Sequence, residues 1–216
     1  MPTTQAEDGG KSSSVESVTK VVDPAEKKAR YDNWAETYNT DLTDDYGYQA
    51  PLITAELMAS LLPRDSRVLD AGCGTGLLGI QMAAQGFDHL FGCDYSENMM
   101  AVAKRAGIYG ALEVVDLSAR LPYDDNSFEA VVSVGLPAIV PGRCIQEFAR
   151  ITRADGHVFY CSGHDQFVSS GYESAIAELD GRLVLKEITN PKIFPAYTKV
   201  DDPTAFVLRA YQVKMG

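Results

Sequence analysis

One stretch of the chain, Val68-Leu69-Asp70-Ala71-Gly72-Cys73-Gly74-Thr75-Gly76-Leu77, limits the fold more than any other. A short apolar run enters a turn with three alternating glycines, and a helical pattern follows. Glycine lets the backbone come close to a ligand. In a doubly wound sheet such a turn lies at the carboxyl ends of the strands, over a helix N-terminus.

The rest of the chain repeats this alternation. Apolar runs with strand character occur at 67–71, 89–94, 112–116, 130–134 and 157–162, with helical patterns at 75–86, 96–107 and 142–153. Strand and helix in turn imply a mainly parallel sheet covered on both faces. After a further helical stretch at 172–179 come two more strand-like runs, 183–189 and 205–213. The loop between them holds Pro191, Pro195 and Pro203 and has no room for a crossover helix, so these strands should pair antiparallel. The expected fold is α/β: a doubly wound, Rossmann-like, seven-stranded mainly parallel sheet with an antiparallel last strand.

Two helical patterns precede the sheet. Asp23-Pro24 is an N-cap followed by proline at the first helical position, opening a helix over 25–39 in which Tyr31, Trp34 and Tyr38 share a face. A second pattern covers 48–62 and ends at Pro63. Residues 1–22 hold Gly9-Gly10 and Ser12-Ser13-Ser14 with few large apolar groups, and are expected as a disordered tail before a single domain at 23–216.

Composition removes several functions. A chain of 216 residues, 45% hydrophobic, can bury a core without disulfide or metal help. The net charge of −11 repels phosphate backbones, which argues against nucleic acid as a partner. Cys73, Cys93, Cys144 and Cys161 form no CxxC pair, and three histidines do not suggest a metal site. No apolar run reaches the roughly 18 residues of a membrane span, and the start lacks the order of a secretion signal, so a cytoplasmic protein is expected.

Two glycine registers compete. Gly74-x-Gly76-x-x-Gly79 satisfies the dinucleotide fingerprint, whereas Asp70-x-Gly72-x-Gly74-x-Gly76 places an acid before three alternating glycines. A pyrophosphate would be repelled by the Asp70 carboxylate, and an ammonium group would be attracted to it. The dinucleotide register also starts late relative to the strand end. Both arguments favour the amino-acid end of S-adenosylmethionine over NAD. Asp94 ends the second strand 22 residues after Gly72, the approximate spacing for a carboxylate that accepts both ribose hydroxyls. Tyr95 and Met99 either pack on an adenine face or belong to the core. Asp116, at the end of the third strand, either accepts from the adenine amine or caps a helix.

These motifs resemble the class I S-adenosylmethionine-dependent methyltransferases over 23–213. The resemblance adds Gly92-Cys93-Asp94-Tyr95-Ser96, Leu121-Pro122-Tyr123, Asn126-Ser127-Phe128-Glu129-Ala130-Val131 and Glu147-Phe148-Ala149-Arg150-Ile151 to the glycine turn. It departs at Ala154-Asp155-Gly156, where Pro-Gly-Gly is common, and at Glu129, where Asp is usual. Tyr31-Asp32-x-Trp34-Ala35-x-x-Tyr38 and Tyr48-x-Ala50-Pro51 most resemble the Williams-Beuren-region methyltransferase-like proteins. That likeness implies an N-terminal helical lid over 23–62 that folds over the cofactor, with Tyr31, Trp34 and Tyr38 on it. The alternative is that the three rings only pack the helix onto the sheet. It further implies that Leu117 meets adenine through its backbone and that Val134 belongs to the cofactor site.

The acceptor is less defined. His164, just past the fifth strand in Ser162-Gly163-His164-Asp165, is the candidate base, against a plain role in a solvated polar loop. The segment Ser133-Val134-Gly135-Leu136-Pro137 lacks the Asn/Asp-Pro-Pro-aromatic loop that holds planar amino groups, and Leu136, Ile139 and Val140 suggest an apolar wall for a small molecule. Small-molecule methyl transfer is therefore expected. The rivals are a protein methyltransferase and a module that keeps the cofactor without turnover.

Overall fold

In the computed structural model, residues 15, 17, 18, 21–136, 140–179 and 183–215 are described. The parallel half of the sheet consists of β1 (Val68–Ala71), β2 (Leu90–Asp94), β3 (Ala111–Val114), β4 (Phe128–Val134) and β5 (Thr152–Gly163). Beyond β5 lie β6 (Leu183–Glu187), β7 (Lys192–Pro195) and β8 (Ala205–Met215), and the order across the sheet is β3-β2-β1-β4-β5-β8-β6. β8 runs antiparallel to β5, as the short proline-rich connection requires.

β6 and β7 both pair antiparallel with β8, β6 along residues 211–215 and β7 along residues 205–208. Because β5 takes the other edge of β8, they lie end to end as one sixth strand, interrupted between Glu187 and Lys192. The second piece escapes the sequence pattern because Pro191 and Pro195 flank it, and proline is tolerated where no ladder donor is needed.

Alternation along the strands divides the core between the two faces. Leu69, Val131 and Tyr160 belong to one apolar cluster with Phe148 and Tyr172. Val68, Val132 and Phe159 belong to a second cluster with Met58 and Met82. All four residues of β1 are buried, as a central strand covered on both faces demands. The helices over these faces include α3 (Ala50–Leu61), α4 (Leu77–Ala84), α5 (Glu97–Ala106) and α6 (Cys144–Ile151).

The helix expected over 25–39 is shorter. Asp23 caps it by accepting from the Glu26 amide at 2.8 Å, Pro24 begins it, and α1 ends at Trp34. The Trp34 indole N–H and the Thr37 hydroxyl both donate to Asp41, at 2.6 and 3.1 Å, and this turns the chain into a short α2 (Tyr38–Thr40). A π-helical turn over Asp41–Tyr46 follows and stops at Gly47 in the left-handed region. Lys199 secures that turn by donating to the carbonyls of Thr43 and Asp44.

Most of the expected tail lies outside the described residues. Within it, Val18 is buried with Trp34 and Leu42, and Arg30 donates to the Ser17 carbonyl at 2.7 Å.

Arg150 on α6 explains the Glu147–Arg150 pair in the sequence. It donates to Glu147 and to the carbonyls of Leu121 and Tyr123, while Glu147 accepts from the Leu121 amide. This fixes the connection between β3 and β4, just after Asp116 and Leu117. No described helix is long and apolar enough to cross a membrane. No cluster of three metal-ligating side chains occurs among the described residues.

Candidate active site

Strand order reverses between β1, whose neighbour β2 lies on one side, and β4 on the other. A ligand crevice is expected at the carboxyl ends of these two strands. A cavity of about 220 Å³ lies there.

The glycine turn forms its floor. Gly72, Gly74 and Gly76 have φ of 80°, 52° and 87°, which side chains rarely adopt. A Cβ on Gly72 would lie 2.4 Å from Leu136, whereas one on Gly74 would meet nothing within 4 Å. Gly74 thus presents bare backbone to open space in the cavity wall, a cradle suited to the amino-acid end of the expected cofactor. Gly76 is not in the wall. It is the left-handed N-cap of α4, and its role is to turn the chain.

The three strand-end acids all line this cavity. Asp70 is 1% exposed, and its carboxylate accepts from the Tyr109 phenol at 2.6 Å. Burial raises its pKa to about 7, opposed by the Tyr109 hydrogen bond and assisted by the Asp94 charge. Asp94 accepts from the amides of Gly74 at 2.9 Å and Ser96 at 2.8 Å. Burial raises its pKa, against those two amides and that of Tyr95. Asp116 is exposed and accepts from the Ser118 amide, so it caps its own turn while facing the cavity. Tyr95, half exposed at 48%, Met99 at 3%, Leu117 and Val134 complete the set expected around the adenosine.

α1 contributes Pro24, Lys27, Lys28 and Tyr31 to the wall of this cavity. Asp32 accepts from the hydroxyl of Ser96 and from Lys28, and the Asn98 amide reaches the Asp32 carbonyl. Thr75 of the glycine turn donates to Asn39. Tyr31 and Tyr38 line the cavity, joined by Tyr48. Trp34, expected on the same face, is instead buried behind them with its ring 4.6 Å from Tyr38. The three rings pack together, Tyr31 stacked 6.4 Å from Trp34, but only the two tyrosines reach the cavity. Burial pushes the phenols of Tyr31, Tyr38 and Tyr48 up, so they stay protonated.

His164 does not line the cavity. The expected polar loop is the start of a short helix, α7 (His164–Ser169), with His164 exposed in its first turn. α7 supports the wall indirectly, since Gln166 donates to the Leu136 carbonyl. Leu136 and Val140 line the cavity as expected, and Ile139 lies outside the described residues.

Sequence reasoning missed Lys27, Tyr48 and Tyr109. Lys27 had a signal: Pro24, Lys27, Lys28 and Tyr31 follow the spacing of one helix face. Tyr109 had none, because it reaches Asp70 from the connection between α5 and β3.

Tyr109 also gives the glycine turn a pH signature. An ammonium ligand would bind the ionised Asp70, so affinity for S-adenosylhomocysteine should fall as pH drops through about 7. The other titratable groups beside Asp70 are Asp94 and Cys73, and only Tyr109 lowers its pKa. In Tyr109→Phe that help is lost, and the midpoint of the affinity profile should move to higher pH. Calorimetric titrations between pH 6 and 9 read this directly, and an unmoved midpoint would sink the pairing.

Comparison with known proteins places this geometry. Residues 69–160 match the family model described as a methyltransferase domain. Human methyltransferase-like protein 27 is 33% identical over 144 residues, which is 64% of this chain and 58% of the relative. The chain therefore spans little more than half of that relative's length. A TehB-like SAM-dependent methyltransferase from Corynebacterium glutamicum superposes with a TM-score of 0.60 at 24% identity, covering 87% of this chain and 99% of that one. The structure described as the [4+2]-cyclase SpnF gives a TM-score of 0.66 at 17% identity, covering 88% and 95%. These likenesses give the fold, and the reaction must be argued from the site.

Proposed function

We propose that the chain carries a class I S-adenosylmethionine-dependent methyltransferase domain and transfers the methyl group to a small-molecule acceptor. The observation that carries the reading is the convergence of Asp70, Asp94 and Asp116 on one cavity floored by the open backbone of Gly74. When bound, S-adenosylmethionine supplies an electrophilic methyl group and leaves as S-adenosylhomocysteine. Asp70 attracts the α-ammonium, Asp94 accepts from the ribose hydroxyls, and Tyr95 and Met99 flank the adenine. Asp116 and Leu117 serve its edge.

The chain's part in the chemistry is alignment and exclusion of water, and such positioning is worth roughly 7–11 kcal/mol. α1, fixed to Ser96 and Asn98, covers the opening, and Val134, Leu136 and Val140 give the acceptor an apolar wall. A cavity roofed in this way suits a small molecule better than a protein segment, and the −11 charge disfavours RNA. The three wall phenols are donors rather than bases, and His164 lies outside the wall. The reading therefore favours a thiol or amine acceptor that becomes nucleophilic without help.

Incubation of the protein with methyl-labelled cofactor and a metabolite extract should place label in the small-molecule fraction. Label in the macromolecular fraction would support the protein-methyltransferase rival, and tight cofactor binding with no transfer would support a module without turnover.

A further inference from the structure

The segment Tyr48-x-Ala50-Pro51 gives both Tyr48 and Pro51 to the cavity wall, and neither belongs to the set around the cofactor. Tyr48 stands between the π-helical turn and α3, where its amide donates to the Leu42 carbonyl and its ring packs edge-on against Phe206, centroids 5.8 Å apart. Its hydroxyl lies just past the end of β4, 2.9 Å from where a Cβ on Gly135 would be. Among the described residues that hydroxyl has no hydrogen-bond partner. Beside it the wall is apolar, from Pro51, Val134, Leu136 and Val140, and the Gly135 amide already donates to the Cys161 carbonyl. A covered phenol usually has a partner, and here a bound molecule would supply it.

The surroundings of Tyr48 differ from those of the other two wall phenols. The Asp94 charge acts on Tyr31 and Tyr38, whereas the groups that act on Tyr48 are Tyr38, Tyr31, Tyr197 and the Cys161 thiol, all uncharged at neutral pH. Tyr48 is thus the wall phenol best suited to donate to an anion. Such a donor also selects the nucleophile. An amine nitrogen has one lone pair, and a hydrogen bond that takes it blocks attack, while a thiolate sulfur accepts one bond and keeps two pairs free. A thiol, with an ordinary pKa of about 8.5, also ionises more readily than a phenol at about 10.

We propose that Tyr48 holds the reacting atom of the acceptor, its phenol donating to the sulfur of a small thiol that the cavity binds as the thiolate. The thiol releases its proton to water on binding. A sulfur lone pair then forms the new S–CH3 bond as the bond from the methyl to the cofactor sulfur breaks, and that electron pair stays on the sulfur of S-adenosylhomocysteine. The inference rests on the reading that the cavity takes S-adenosylmethionine, and goes further by naming the acceptor atom and the residue that orients it.

The test uses Tyr48→Phe, which keeps the ring against Phe206 and removes only the hydroxyl. Losing an unpaired hydroxyl should leave Tm and S-adenosylhomocysteine affinity unchanged, and this separates the role from a structural one. Wild type and variant, both saturated with S-adenosylhomocysteine, are titrated calorimetrically with thiophenol, aniline and phenol, which share one ring. Repeating the thiophenol titrations across pH reads the ionisation of the bound thiol.

The thiolate should bind the loaded variant about tenfold more weakly or worse, the size of one hydrogen bond to a charged group, and aniline should bind both proteins alike. The pH at which bound thiophenol ionises should be higher in the variant by about one, the same tenfold factor. With methyl-labelled cofactor the wild type should methylate thiophenol, and kcat/KM should fall in the variant by a similar factor. The proposal is overturned if the loaded wild type binds no thiophenol, if both proteins bind the thiolate alike, or if label passes to aniline or phenol in preference to thiophenol. Those results leave cofactor binding intact, whereas a wild type that binds no adenosyl ligand at all would remove the functional reading itself.

Discussion

Asp94→Ala should weaken S-adenosylhomocysteine binding about a hundredfold or more. A carboxylate that accepts from two ribose hydroxyls contributes two charge-assisted hydrogen bonds at about 1.5 kcal/mol or more each, and about 3 kcal/mol is a hundredfold in Kd. The side chain also organises the floor, because it accepts from the amides of Gly74 and Ser96. Its removal therefore costs twice, through the ligand and through the cradle that receives it. Asp94→Asn keeps one acceptor oxygen and should lose less. Titration calorimetry separates the two variants, and wild-type affinity in Asp94→Ala would show that the ribose is held elsewhere.

Gly79→Ala should destabilise the protein by about 3 kcal/mol, the upper end for an overpacked core, and lower Tm by roughly 6–12 °C for a domain of this size. The sign is the informative part. Gly79 lies inside α4, where alanine would ordinarily stabilise the helix by about 1 kcal/mol. Here a Cβ would stand 2.2 Å from the Tyr109 hydroxyl oxygen and 2.7 Å from Ile108. Tyr109 is held in place by its bond to Asp70, so the collision must displace the ring and break that bond. Pairing Gly79→Ala with Tyr109→Ala removes the clash with the ring, so the double variant should lose less than the sum of the two single losses. An unchanged or raised Tm in the single variant would contradict the packing.

The same glycine shows how far the sequence could be read. Gly74-x-Gly76-x-x-Gly79 looks like a dinucleotide fingerprint, and in one dimension the charge of Asp70 and the late start of that register spoke against it. In the fold the third glycine leaves room for Tyr109, a contact from distant sequence that no spacing rule contains. The sheet was legible because period-two burial is local: Val68 and Leu69 face opposite clusters, as do Phe159 and Tyr160. The strand-end positions of Asp70, Asp94 and Asp116 followed from the same pattern.

Register within the N-terminal helices was not legible. Asp41 turns the chain after Trp34, so α1 ends earlier than the pattern suggests; Trp34 still packs against Tyr31 and Tyr38, but only the two tyrosines reach the cavity wall. His164 was misplaced for a related reason. A polar run after a strand reads as a loop, but α7 forms there because Phe167 packs with Tyr160 and Tyr172 in the core.

The central claim is that the acid before the glycine turn selects an adenosyl amino acid over a dinucleotide. Calorimetric titration of the purified protein with S-adenosylmethionine, S-adenosylhomocysteine and NAD tests it most directly. The account predicts saturable binding of both adenosyl ligands and no heat of binding from NAD. Binding of NAD alone would contradict it and turn the cavity into a dehydrogenase site.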